Sequence, residues 1–113
     1  MQRKFRLTSS QDYMRVRRTG KSFAHPLAVL LTLPNDLGHT RIAVSAGKRV
    51  GNAVRRNRAK RLLREAVRTF VQDVTPGWDL VLIARQPVAE AVFNDVLAAV
   101  RSLLSRAGLL ENR

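Results

Sequence analysis

The sequence contains no cysteine, few acidic residues and no long hydrophobic run. Without cysteine there is no disulfide framework and no thiolate metal site, and this composition fits a reducing compartment. No stretch approaches the roughly 18 apolar residues of a membrane-spanning helix. No apolar signal-peptide core follows the basic segment Met1–Arg6. We therefore expect a soluble, cytoplasmic protein without a membrane-spanning segment.

Side chains that cleave phosphodiester bonds are also scarce. A protein nuclease usually needs a carboxylate cluster that holds a metal ion, or histidines for acid–base chemistry. His25 adjoins Pro26, His39 lies in a predicted turn, and the acids are scattered singly along the sequence. The sequence alone therefore predicts no catalytic residue and no metal site in this chain.

Positive charge is what the sequence has in excess. It contains 21 Lys and Arg against 8 Asp and Glu, a formal net charge of +13. Such a charge opposes compaction, and an anionic partner is the simplest reason to tolerate it. Nucleic acid is the first candidate and an anionic membrane surface the second. Arginine outnumbers lysine, and its planar fork suits phosphates and bases, which favours nucleic acid.

The excess charge is concentrated in two segments. Residues 1–21 hold seven basic residues and one acid, and residues 48–68 hold nine basic residues and one acid. The remaining positions are close to neutral. With 45% apolar residues and no visible linker, we predict that residues 1–113 form a single domain that binds nucleic acid.

Hydrophobic periodicity predicts an α+β fold, with helices packed on a small central sheet. Strands 27–33 and 40–45, separated by a Pro-Asn-Asp turn, are predicted to pair as a hairpin. Phe70 and Phe93 are predicted to lie in the core. The predicted elements, in chain order, are a helix from the N-cap Ser9 to about Arg18, strands over 27–33 and 40–45, a helix over 52–70, a strand over 79–84 and a helix from Val88 to Arg106.

The helix predicted over 52–70 has an apolar stripe on one side and arginines on the other. A solvated helix face normally alternates the sign of its charges. Here positive charge repeats at Arg58, Arg61, Arg64 and Arg68, and Glu65 is the one acid among them. This pattern favours a nucleic-acid-binding face over a passive surface. It also disfavours a membrane-surface helix, because the strands need the apolar stripe for a core.

The segment 48–64 closely resembles the signature of the bacterial ribonuclease P protein family. In that family a Lys/Arg pair, a Gly and Asn-Ala-Val lead into Arg-Asn-Arg and then Lys-Arg. The matching residues here are Lys48, Arg49, Gly51, Asn52, Ala53, Val54, Arg56, Asn57, Arg58, Lys60, Arg61 and Arg64. The resemblance extends over essentially the whole chain, from Asp12-Tyr13 in the first helix to Ile83-Ala84-Arg85 at a strand end.

The resemblance implies a ribosomal-protein-like fold with a left-handed β-α-β crossover, although the general rule favours a right-handed one. It also implies an accessory subunit of ribonuclease P. Its partners would be a catalytic RNA and precursor tRNA, with the active site and Mg²⁺ held by the RNA, no cofactor bound by the protein alone, and one protein copy in the holoenzyme. A small ribosomal-type RNA-binding protein without a processing role is the alternative. The expected RNA-binding residues are Lys48, Arg49, Asn52, Arg55, Arg56, Asn57, Arg58, Lys60, Arg61, Arg64 and Arg68.

The family binds the single-stranded 5′ leader of precursor tRNA in a cleft between the first helix and the sheet. The corresponding residues here are Tyr13, Arg17 and Leu31, and Phe23 is expected to close one end. Tyr13 and Arg17 are four residues apart and share one helix face. Bases can stack on the ring or on the guanidinium. The alternative is that Tyr13 packs the first helix onto the sheet.

Overall fold

Four strands and three α-helices make up residues 3–110, the part of the chain that this computed structural model describes. Short 3₁₀ turns at Arg3–Phe5, Lys48–Val50, Val71–Asp73 and Gln86–Glu90 separate some of them. The main elements are α1 (Ser10–Thr19), β1 (Lys21–Ala24), β2 (Ala28–Pro34), β3 (Arg41–Ser45), α2 (Ala53–Phe70), β4 (Trp78–Ala84) and α3 (Phe93–Arg106).

The sheet has the strand order β1-β2-β4-β3. Strand β2 is antiparallel to both β1 and β4, whereas β3 and β4 are parallel. The predicted hairpin between β2 and β3 is therefore wrong, because β4 lies between them. Strands β2 and β4 are buried along most of their length. Strands buried on both faces belong at the centre of a sheet, which leaves β3 at an edge.

Local capping chemistry defines where α1 and α2 begin. The Ser9 hydroxyl accepts a hydrogen bond from Asp12 N at 3.3 Å, and Asn52 Oδ1 accepts one from Arg55 N at 3.0 Å. Both caps satisfy backbone donors that a helix start leaves free. Helix α1 ends before Gly20, where an added Cβ would lie 2.5 Å from the carbonyl oxygen of Val16. The predicted boundaries of these two helices are confirmed within one or two residues.

Helix α3 begins later than predicted. Residues Gln86–Glu90 form a 3₁₀ turn that buries Val88 and Ala89, and Val92 is extended and precedes the helix. The apolar residues at 88 and 89 thus reach the core from a turn and not from a helix. Phe93, predicted to be in the core, is 38% exposed at the first position of α3.

Two apolar clusters lie on opposite faces of the sheet. Helices α2 and α3 cover one face, where Leu63 and Leu103 pack with Leu30 and Leu82 of the central strands. The second cluster is smaller. It joins Leu7, Val16 of α1, Leu31 and Val81. The α+β class with helices on a small sheet is confirmed, and α1 lies alone on its face.

One backbone hydrogen bond fixes the hand of the connection from β3 through α2 to β4. Leu7 N donates to Ile42 O at 2.9 Å, so the carbonyl of Ile42 faces the open edge of β3, away from β4. Its side chain packs beneath α2 and α3. For an L-residue in a strand, these two directions place β4 to the left of an upward-pointing β3 when viewed from the helices. The crossover is therefore left-handed, against the general rule.

Candidate RNA-binding surface

The turn before α2 is built around Gly51. Its φ of +135° is a backbone conformation that residues other than glycine rarely adopt, and an added Cβ would lie 2.6 Å from Cδ of Arg55. Val50, one residue earlier, is buried. The turn therefore anchors the start of α2 and leaves Lys48, Arg49 and Asn52 exposed around it.

Arg55 and Arg58 attach α2 to the turn that follows β4. Arg55 Nε donates to Val50 O at 3.1 Å, and its Nη2 donates to Glu90 Oε1 at 2.8 Å. Arg58 Nε donates to Ala89 O at 2.7 Å. Sequence reasoning assigned both arginines to RNA alone and missed this structural role. Glu90 and Ala89 lie more than 30 residues from these arginines, so no local pattern could have revealed the contacts with the turn after β4.

A line of polar and basic side chains runs along the exposed side of α2. Asn57, Arg61, Arg64 and Arg68 follow one another at steps of four, three and four residues, and all are exposed. Arg68 is paired with Glu65 at 3.1 Å. Within residues 3–110, Arg61 and Arg64 make no ion pair or side-chain hydrogen bond. They are free to bind an anion.

The remaining predicted RNA-binding residues flank this line. Arg56 and Lys60 are half-buried on α2, while Lys48 and Arg49 are exposed before it. Glu65 and Glu90 are the acids that pair with basic residues of α2. The structure thus brings the predicted residues to one helix and the turn that precedes it.

On the other face of the sheet, Tyr13 and Arg17 lie side by side on α1. Arg17 Nη1 donates to Tyr13 Oη at 3.4 Å, a long hydrogen bond. Tyr13 is half-buried against the cluster that contains Leu31. Leu31 projects to this face as predicted, but it is 8% exposed. It therefore lies at the bottom of any cleft and offers little surface itself.

Three further side chains that line the α1 face of the sheet were not identified from the sequence. Val29, Ala43 and Ile83 are partly buried and pack around the same cluster as Tyr13. The strand register pairs Val29 with Ile83 and Ala43 with Val81, which puts them on the α1 face. Alternation from Leu31 would have identified Val29, and the other two required the strand order.

Phe23 does not belong to this face. Strand β1 pairs Ser22 with Leu31 and Phe23 with Leu30, and Leu30 points towards α2 and α3. Phe23 packs against that opposite cluster, and Lys21 Nζ lies 5.5 Å from its ring centroid. The prediction that Phe23 closes the leader cleft is wrong because successive residues of a strand point to opposite faces.

A buried ion pair fixes α1 relative to the sheet. Asp79 of β4 is fully buried and accepts hydrogen bonds from Arg41 Nε at 2.9 Å, Arg41 Nη2 at 2.8 Å and Asn35 Nδ2 at 2.8 Å. Burial raises the pKa of Asp79, but the hydrogen bonds from Arg41 and Asn35 outweigh it and hold the pKa below its ordinary value. The bond to Asp79 raises the pKa of Arg41.

Arg41 also reaches the helix. Its Nη2 lies 3.2 Å from Oδ2 of Asp12, and Asp12 in turn accepts a 2.7 Å hydrogen bond from Arg15. One guanidinium therefore connects a buried carboxylate of the sheet with a carboxylate of α1. This connection helps to fix the position of α1, and with it that of Tyr13 and Arg17, relative to the strands.

Clusters of metal-ligating side chains are not found in the described residues. Between residues 3 and 110, no three His, Asp or Glu side chains lie close enough together to hold a metal ion. Within the same range, no helix is long and apolar enough to cross a membrane. The fold and surface define a small α+β protein with a cationic helix face of the kind that binds nucleic acid.

Comparisons with known proteins give the particular family. The sequence model described as Ribonuclease P matches residues 1–108. The ribonuclease P protein component of Roseiflexus castenholzii is 42% identical over 112 residues, which cover 98% of this chain and 92% of that protein. That of Herpetosiphon aurantiacus is 40% identical and covers 100% of this chain and 92% of that protein. The chain belongs to the ribonuclease P protein family.

Solved structures agree with this assignment. The RNase P protein of Staphylococcus aureus superposes with a TM-score of 0.82 at 28% identity, covering 95% of this chain and 98% of that one. An RNase P protein from Thermotoga maritima in complex with 1-(4-fluorophenyl)-2-thiourea gives a TM-score of 0.80 at 30% identity, and the match covers 89% of this chain and 98% of that one. The family is that of the protein components of a tRNA-processing ribonucleoprotein, so an RNA subunit is a partner of this chain.

Proposed function

We propose that this chain binds the RNA subunit of ribonuclease P and the 5′ leader of precursor tRNA, and so assists endonucleolytic 5′ maturation of tRNA. The observation that carries the proposal is the exposed line on α2, where Arg61 and Arg64 have no partner within residues 3–110. Both lie within the segment 48–64, which resembles the family signature. Family membership favours this role over that of a structural-RNA-binding ribosomal protein.

The two faces of the molecule suit two different RNA contacts. The α2 face offers guanidinium groups without an aromatic ring, which suits the phosphate backbone of a folded RNA. The α1 face offers a ring, a guanidinium and apolar side chains, which suits unstacked bases of a single strand. We assign the RNA subunit to the first face and the leader, at Tyr13 and Arg17, to the second.

Catalysis is proposed to reside in the RNA subunit. The described acids are engaged or dispersed: Asp12, Asp79, Glu65 and Glu90 each pair with an arginine. These residues do not fit a Mg²⁺ site, because hard divalent cations need several free oxygen ligands at one point. We therefore assign the Mg²⁺ of the holoenzyme to the RNA. This protein would supply binding and orientation, as a single copy in the cytoplasm.

Reconstitution tests the proposal. Purified protein is added to the cognate RNA subunit at low Mg²⁺, and the initial rate of 5′ cleavage of precursor tRNA is measured. The wild-type protein is expected to raise the rate, and the Arg61→Gln/Arg64→Gln variant is expected to require a higher protein concentration for the same rate. Arg101→Gln is the control, because Arg101 is an exposed arginine of α3 whose one described contact is with the Phe70 ring, at 5.8 Å from the centroid. RNA binding without any effect on cleavage would favour the ribosomal-type alternative.

A further inference from the structure

The open edge of β3 forms one side of a groove that shares Arg64 with the α2 face and whose other residues have no part in the proposed function. The groove has a volume of about 470 Å³ and lies between residues 6–8, the edge of β3 and the second half of α2. We call it the β3-edge groove. Its floor is apolar, since Leu7 and Ile42 are both buried.

The two walls of the β3-edge groove carry positive charge from different parts of the chain. Arg6 stands on the N-terminal wall and Arg64 on the α2 wall, and both are exposed. Within residues 3–110 neither makes an ion pair or a side-chain hydrogen bond. Arg68 also lines the groove, but Glu65 neutralises it at 3.1 Å. Glu65 lines the groove as well, but it is engaged by Arg68, so the groove keeps two guanidinium groups without an acidic partner among the described residues.

The edge of β3 adds backbone donors to these side chains. Ile42 bonds to the N-terminal segment, because its carbonyl accepts from Leu7 N at 2.9 Å. Val44 lies two residues further along the same strand, so its N–H and C=O also point away from β4. Among residues 3–110 no backbone hydrogen bond to either group is formed from the open side of the strand. A backbone N–H without a backbone partner, in a groove lined by two arginines, is an arrangement that suits phosphate oxygens.

We propose that the β3-edge groove binds the phosphodiester backbone of an RNA strand, with Arg6 and Arg64 contacting phosphates from its two walls. No aromatic side chain lines the groove among the described residues, so the contact reads backbone and not base identity. The proposal rests on the proposed function, because it adds a third RNA contact to the two already assigned. A peptide strand that pairs with the β3 edge would not need an arginine on each wall.

Substitution of Arg6 is the specific test of the groove, because Arg64 also belongs to the α2 face and its loss would affect both surfaces. Arg6→Gln, Arg64→Gln and Arg18→Gln are prepared in the full chain. Arg18 is an exposed arginine of α1 outside the groove. Dissociation constants are measured for the RNA subunit alone and for precursor tRNA bound to the reconstituted holoenzyme, and melting curves confirm that each variant is folded. Arg6→Gln is expected to weaken binding of one of these RNAs by about tenfold, as for a charge-assisted hydrogen bond. The RNA that is affected identifies the source of the strand.

A second measurement uses the absence of cysteine from the sequence. Thr8 lines the groove and is exposed, so Thr8→Cys gives a unique thiol there for a short photo-crosslinker, and Ser105→Cys on α3 is the control. A crosslink to RNA from position 8 and none from position 105 supports the groove. If Arg6→Gln and Arg18→Gln have the same dissociation constants for both RNAs, the groove assignment is overturned while the proposed function stands. The same holds if position 8 crosslinks to protein instead of RNA. If the wild-type chain binds neither RNA, the proposed function itself fails.

Discussion

Replacing Arg41 by methionine should test how strongly the buried ion pair holds the fold. Asp79 is fully buried, and Arg41, with 18% of its side chain exposed, provides two of its three hydrogen bonds. Removing one partner of a buried pair leaves a charge without compensation, which typically costs about 3–5 kcal/mol. Because Asn35 remains bonded to Asp79, we expect a loss near the lower limit, about 3 kcal/mol. That is a large part of the roughly 5–15 kcal/mol by which domains are stable.

Urea denaturation followed by circular dichroism measures this loss at pH 7. The matched control is Arg68→Met, which breaks an exposed pair with Glu65 and should cost less than about 1 kcal/mol. Equal losses for the two variants would refute the argument, because the buried pair would then contribute no more than an exposed one.

The pH dependence gives the same prediction a second measurement. The folded-state pKa of Asp79 is lowered, so ionised Asp79 favours the folded wild-type protein above its ordinary pKa of about 4. This contribution is lost as the pH falls through the lowered value. In Arg41→Met the carboxylate keeps Asn35 but loses Arg41, the stronger of the two partners that lower its pKa, and protonation removes the uncompensated charge. The difference in stability between variant and wild type should therefore shrink as the pH is lowered from 7 to about 4.

The remaining predictions separate the two RNA-binding faces from the groups that hold the fold. Tyr13→Ala should weaken binding of precursor tRNA by about 1–3 kcal/mol per stacked base lost and leave the binding of leaderless tRNA unchanged. Met14→Ala, at the neighbouring exposed position, is the control. Equal losses of affinity for both RNAs would contradict leader binding by Tyr13. Arg58→Ala should lower the free energy of unfolding by about 1–2 kcal/mol, because Ala89 O loses its 2.7 Å bond, whereas Arg61→Ala should change it by less than about 0.5 kcal/mol. Urea melts of the two variants give the comparison, and identical stabilities would show that the Arg58 bond contributes nothing.

Local signals in the sequence were sufficient to predict α1 and α2. Ser9 and Asn52 are N-cap residues whose side chains do bond to the backbone three residues on. The apolar stripe of α2 is buried and its arginine line is exposed, as periodicity predicted. In each case the determining interactions join residues within one or two helical turns, so they can be recognised without knowing the fold.

Non-local pairing is what the sequence did not reveal. Strand β1 is mostly exposed and shows little hydrophobic alternation, so it was missed, and with it the face on which Phe23 lies. The insertion of β4 between β2 and β3 depends on contacts more than 30 residues apart. The bond between Arg41 and Asp79 is also non-local, and it gives Asp79, a charged residue within a strand, a structural role. Where a residue's partner is distant in sequence, neither its face nor its role could be assigned beforehand.

The charge balance of the whole chain leads to a last prediction. With 21 basic and 8 acidic residues, the chain keeps a formal net charge of +13 however its side chains pair, and the free protein must carry the resulting repulsion. Among the described residues, the arginines that do have acidic partners are Arg15, Arg41, Arg55 and Arg68. The unpaired surplus includes Arg61 and Arg64 on the exposed side of α2. Raising NaCl from about 10 to 150 mM shortens the Debye length from about 30 to 8 Å, which should raise the melting temperature of the free protein by weakening this repulsion. The same change should weaken RNA binding steeply, because each phosphate contact releases a counterion. Thermal denaturation and RNA titration over one salt series measure both effects. A melting temperature that falls with salt would show that favourable ion pairs outweigh the repulsion, and the excess charge would then need no RNA partner to explain it.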